Sequence, residues 1–169
     1  MTENTSLINR KSGNTRPLLM LGVDGVIALE QAATLPTVSE HVTASGKWSR
    51  EVLVPVGTKE LIAELTESYD IVWVSEWGAN AHVAFAGVLG LPPKPWPYLP
   101  AQFNKLSRIQ RFAGSRPWIW IDDPLVDLDP LPADPQGLVL RVDPARGLVG
   151  LGKAVFWKLT DNNPDTDLR

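Results

Sequence analysis

The apolar residues of this chain fall in short continuous runs, not in strict alternation. The clearest are Leu18 to Leu21 continuing into Val23, Val26 and Ile27, then Ile71 to Val74, Trp118 to Ile121 and Leu138 to Val142. A run of this length without polar alternation suits a strand covered on both faces, as in a parallel sheet. Between the runs lie stretches with helical spacing. Leu61, Ile62 and Leu65 follow Thr58, which is expected to act as an N-cap. Ala79 to Leu89 carries Val83, Phe85, Ala86 and Leu89, and is stopped by Gly90 and Pro92-Pro93. Asn104 to Phe112 carries Leu106, Ile109 and Phe112 behind Asn104 as a candidate cap.

Three further segments complete the pattern. His41-Val42-Thr43 and Trp48 to Val54, around Ala44 to Lys47, predict a hairpin inside 28–56 that has the makings of a flap. Pro92 to Pro100 holds five prolines and predicts a rigid extended loop. Asp127 to Gln136 reads as an acidic loop, and Gly147 to Leu159 as a loop and a final helix.

Strands alternating with helices predict an α/β protein with a doubly wound, mostly parallel, Rossmann-like sheet. The 169 residues suit one core. The single domain is placed at 17–160, with polar segments 1–16 and 161–169 read as mobile tails. In such sheets ligands bind beyond the carboxyl ends of the strands. That rule gathers Gly22 to Gly25, Ser75 to Trp77 and Asp122-Asp123 into one candidate cluster.

Composition narrows the chemistry. The formal net charge is -3, which gives no support to nucleic acid as a partner held by nonspecific phosphate contacts but leaves a local basic pocket open. There is no cysteine, so disulfides, thiolate nucleophiles and cysteine-bound zinc are excluded. No apolar run approaches the ~20 residues that span a bilayer, and the first residues lack a basic region and an apolar core. A soluble, cytoplasmic protein without a membrane partner is the expectation.

Asp24 follows the first strand, Ser75 ends the second, and Asp122 and Asp123 end the third, with Lys105 at the start of the preceding helix. Carboxylates at one rim can hold Mg²⁺, and a hydroxyl and an ammonium can bind phosphoryl oxygens. Gly22-Val23-Asp24-Gly25-Val26, the hydrophobic strand ending in Ser75, Lys105, and Trp118 to Asp123 with its terminal acids follow the order of the four motifs of haloacid dehalogenase (HAD) phosphatases. The chain therefore resembles the HAD-like superfamily from about Leu18 to Leu159. Trp77 with Asn80, Gly90-Leu91-Pro92, Arg116-Pro117, Asp143-Pro144 and Gly147-Leu148 are similar to a small group of capless actinobacterial HAD-like proteins.

The resemblance implies roles residue by residue. Asp24 would be the general acid/base and, through its backbone carbonyl, would help hold the metal. Ser75 and Lys105 would bind the transferring phosphoryl group, and Asp122, with or without Asp123, would ligate Mg²⁺. The family's nucleophilic Asp, which forms an aspartyl-phosphate, is replaced by Gly22. Phosphatase activity is then expected to be absent or strongly impaired, and Mg²⁺ binding weakened. The gaps from Asp24 to Ser75 and from Ser75 to Lys105 are too short for a large cap domain. An open site would admit a phosphorylated small molecule or a macromolecular end. The alternatives are a phosphohydrolase using water activated by Asp24, and a non-catalytic interaction module.

Each signal also has a plain structural reading. Asp24-Gly25 can be a turn, Asp122-Asp123 before Pro124 a loop start, Ser75 a strand end, and Lys105 a solvated charge. Trp73, Trp118, Trp120 and Trp157 are expected in the core, while Trp48, Trp77 and Trp96 lie in loops near the predicted rim. His41 and His82 have no ligand partner at suitable spacing, so structural roles are expected for both.

Overall fold

A computed structural model describes residues 16–44, 48–100, 103–123 and 134–156. Residues 1–15 of the expected tail at 1–16, the tail at 161–169, most of the acidic loop and Trp157 lie outside these residues.

The first strand, β1 (Leu18–Leu21), is buried throughout. It is shorter than the sequence pattern suggested: after Leu21 the chain turns at once, and Ile27 and Ala28 donate their N–H groups back to the Val23 carbonyl. Next come β2 (Thr37–Ala44) and β3 (Trp48–Pro55), an antiparallel pair in register Thr37↔Pro55 to Ala44↔Trp48. This is the expected hairpin.

Helix α1 (Thr58–Ser68) turns Leu61, Ile62 and Leu65 into the core. Thr58 is not its cap. Gly57 holds that position in a left-handed conformation, and Thr58 lies one residue inside, fully buried, with its hydroxyl donating to the Pro55 carbonyl at 2.7 Å. The hydroxyl is used to fasten helix to hairpin.

Strand β4 (Asp70–Val74) is followed by α2 (Asn80–Leu89), which ends at Gly90 in the left-handed region as expected of a C-terminal glycine. The proline loop contains a strand that composition concealed, β5 (Tyr98–Leu99), paired with Trp73 and Val74. Helix α3 (Lys105–Ala113) starts after Asn104, which is left-handed (φ 54°) and makes no side-chain cap bond. Then come β6 (Trp118–Asp122), β7 (Gly137–Arg141) and a 3-10 turn at Leu148–Leu151; residues 154–156 are helical.

Five parallel strands form one sheet in the order β5-β4-β1-β6-β7. The arrangement is α/β and compatible with a Rossmann-like fold. One side is packed by a large core of Leu19, Leu21, Ile62, Trp73, Phe85 and Ile121, with residues of the hairpin among it. The other is packed by Leu18, Met20, Val72, Ile109, Trp118 and Trp120. Continuous apolar runs are explained by this two-sided burial. Among the described residues no helix is long and apolar enough to cross a membrane.

The candidate site at the carboxyl edge of the sheet

Strand register brings the candidate residues to one edge. β1 pairs with β6 as Leu21↔Ile121 and with β4 as Leu21↔Trp73, so the chain leaving β1 passes between the ends of both neighbours. Gly22 donates its N–H to the Ile121 carbonyl at 3.0 Å and therefore lies level with Asp122. Asp24 is on the turn beyond, Ser75 directly after β4, and Lys105 on the first turn of α3.

Asp122 is 2 % exposed, and donors surround its carboxylate. Lys105 Nζ lies 2.7 Å from Oδ2 in an ion pair, and the Trp120 indole N–H reaches the same oxygen at 3.3 Å. Oδ1 accepts the backbone N–H of Asp123 at 3.0 Å. A buried carboxylate needs such partners. Trp120 and Asp122 are two residues apart on one strand and so share a face. That spacing was the available signal for the indole contact, which sequence reasoning missed.

Asp24 is drawn the other way, toward β4 and the hairpin. Its Oδ2 accepts the Trp77 indole N–H at 2.9 Å, and its Oδ1 faces Arg50 of β3 at 3.6 Å. That Oδ1 is shielded from solvent without a hydrogen-bond donor among the described residues. The Arg50 guanidinium also stacks over the Trp77 ring at 5.3 Å. Phe85 also packs on the Trp77 ring, centroid to centroid 5.3 Å. Arg50 went unnoticed in the sequence because a charged residue on a hairpin is ordinarily a solvated one; only the fold-back of the hairpin places it at the rim.

Ser75 is buried, and its Oγ accepts the backbone N–H of Trp77 at 3.3 Å, closing the turn that carries the indole. Among the described residues the hydroxyl donates to no acceptor, so its proton can reach a ligand. Trp96, expected near the rim, instead packs on Trp73 and His82 away from it. His82 bonds the Pro92 carbonyl through Nε2 (2.8 Å) and accepts the Trp96 N–H at Nδ1 (3.3 Å), so it fastens the proline loop. His41 bonds Ser49 on the exposed hairpin.

Gly22 sits in a tight place. A β-carbon there would lie 2.6 Å from Asp122 Oδ1, 3.0 Å from its Cγ and 3.2 Å from Val26 Cγ2. Gly25, with φ +76°, has Asp123 Cβ 2.8 Å from the position a β-carbon would take. The turn after β1 and the end of β6 are thus in direct contact. Burial, first, and then the neighbouring charge and hydrogen bond of Asp122 raise Asp123 from an ordinary carboxyl to about 6, with Glu30 adding and Lys105 opposing. Asp123 therefore retains its proton into mildly acidic solution.

These donors do not make a magnesium cage as arranged. Asp122 is committed to Lys105, Trp120 and the Asp123 amide, and Asp24 to Trp77 and Arg50. Among the described residues no group of three His, Asp or Glu side chains converges on a metal position. What the arrangement offers is a cation and a hydroxyl, Lys105 and Ser75, on either side of a glycine, with Arg50 above. The chain matches no protein-family model, no curated protein and no solved structure.

Proposed function

We propose that the chain is a capless HAD-like phosphohydrolase fold that has lost its nucleophile and holds a phosphorylated ligand, a small molecule or a macromolecular end, without turning it over. The observation that carries this reading is the contact between Gly22 and Asp122: the direction in which a nucleophilic side chain would project is filled by a carboxylate that Lys105 holds. Lys105, the Ser75 hydroxyl and Arg50 are the groups suited to phosphoryl oxygens. The open rim has only the hairpin as a cover, with no cap domain in the described chain. Asp24 activating water is the weaker reading, because its Oδ2 is taken by an indole N–H and its Oδ1 faces a guanidinium.

The test is titration of inorganic phosphate by calorimetry with and without EDTA, beside hydrolysis of p-nitrophenyl phosphate with Mg²⁺. Saturable phosphate binding, indifferent to EDTA, lost in Lys105→Met and without turnover, is the expected result. Turnover by the parent chain favours the water route, and absence of phosphate binding favours a scaffold that serves only as an interaction module. Gly22→Asp sets a second carboxylate against Asp122, a crowding of like charges that a cation shared between them offsets, and is expected to show Mg²⁺-dependent activity. A folded, Mg²⁺-binding Gly22→Asp variant that is inert on aryl, nucleotide and polynucleotide phosphates would remove the phosphohydrolase ancestry.

A further inference from the structure

A cleft of about 660 Å³ opens away from the strand carboxyl ends. It lies at the opposite edge of the sheet, where Leu18 begins β1 and Asp70 begins β4. We propose that this cleft is a second binding site, for a small amphiphile with an apolar body and an anionic head, such as a medium-chain carboxylate.

Its shape follows from the short fifth strand. Among the described residues β5 pairs with Trp73 and Val74 alone, so the outer edge of β4 from Asp70 to Val72 has no strand beside it. Pro95 and Pro97 lead into β5 along that edge and bring no N–H groups of their own. A peptide seeking to add a strand meets this proline segment first. The opening suits a compact ligand better than an extended chain, and its volume falls within the range of about 300–1,000 Å³ usual for small-molecule pockets.

The walls are apolar: Ile62 and Ala63 from α1, Leu89 and Leu91 around the end of α2, Trp96 from the proline loop, and Phe112 from α3. Phe112 is 43 % exposed, although the helical pattern of α3 predicted it inward. The charged lining is Arg16, Lys94 and Arg116 against a single acid, Asp70. Asp70 is already neutralised by Arg116 at 2.6 Å. Arg16 reaches the Thr66 carbonyl at 2.8 Å, a neutral partner, and Lys94 has no ion pair among the described residues. Arg116 Nε is shielded from solvent and has no acceptor among the described residues. A protein of net charge -3 has therefore placed positive charge, uncompensated among the described residues, at the mouth of this apolar cleft. Charge of that sign selects an anionic head and disfavours a cationic one.

Calorimetry on the full chain tests this with decanoate, with decyltrimethylammonium as the same tail bearing the opposite charge, and with acetate as the head alone. Decanoate should saturate one site, with the other two at least about tenfold weaker. Lys94→Glu, in an exposed loop, should weaken decanoate about tenfold. Ala63→Trp, on the exposed side of α1, should fill the cleft and abolish binding while phosphate titration at the other edge is unchanged. The proposal is overturned if decanoate fails to saturate by about 1 mM, if the ammonium binds as well as the carboxylate, or if Lys94→Glu leaves the affinity as it was. It is overturned equally by an Ala63→Trp variant that melts with the parent and still binds. Lys94→Glu alone decides if Ala63→Trp unfolds.

Discussion

Replacing Gly22 with alanine should destabilise this protein, although glycine-to-alanine changes at ordinary backbone angles usually stabilise. Gly22 is not among the positive-φ glycines, so alanine meets no backbone strain there and should gain about 0.4–1 kcal/mol from the stiffer unfolded chain. The opposing effect is local. The new methyl would lie 2.6 Å from Asp122 Oδ1, and the carboxylate must withdraw. It cannot do so freely, because Lys105 at 2.7 Å and the Asp123 amide at 3.0 Å hold it from either side. Hydrogen bonds to charged groups contribute roughly 1.5–3 kcal/mol each. Losing most of one gives a net cost of about 1–2 kcal/mol after the backbone gain. Urea unfolding reads this as a midpoint about 0.5–1 M lower for a typical slope. The cause is isolated by a double-mutant cycle: in an Asp122→Ala background the methyl has room, and Gly22→Ala should become neutral or stabilising. The coupling energy should be about 1–3 kcal/mol. A parent protein unharmed by Gly22→Ala, or a coupling within about 0.5 kcal/mol of zero, would refute the contact on which the reading of the site rests.

Asp123→Asn should change the pH dependence of stability. The carboxyl is raised in the folded state, from 3.8 to about 6, so the folded protein holds its proton more tightly than the unfolded chain. Its contribution is then complete below about pH 4 and lost as pH climbs to about 6. The Asn variant should escape that loss, and the difference between the two urea midpoints should grow across this window and level off above it. A difference that stays constant from about pH 4 to pH 7 would contradict the assignment. Gly137→Ala should be severe, because a β-carbon there would fall 2.0 Å from Trp118 ring atoms in a buried packing. A loss of about 1–3 kcal/mol or more is expected in denaturant unfolding, and a neutral result would mean that the indole does not lie over this strand. Trp77→Phe keeps the ring on Phe85 but removes the donor to Asp24. It should cost about 1 kcal/mol, and substantially less in an Asp24→Ala background.

The run lengths, the helix-period stripes and the glycine after α2 were sufficient to derive an α/β chain with a buried parallel sheet. They also placed the hairpin, because apolar content and strand length are local properties. The same local reasoning put Asp24, Ser75, Lys105 and Asp122 at strand or helix ends, and hence at one rim. It failed where a side chain's partner lay far along the chain. Thr58 had the composition of a cap, yet the Pro55 carbonyl took its hydroxyl. β5 was invisible among prolines because its two residues pair only by virtue of β4 beside them. Phe112 matched an inward stripe but faces the cleft left by that short strand. Above all, the sequence displayed a glycine at position 22 but not what it faces. Only the pairing of β1 with β6 set Gly22 against Asp122, since the position of a carboxylate in space depends on strand register and on the charges that balance it, and neither is encoded within a few residues of the position itself.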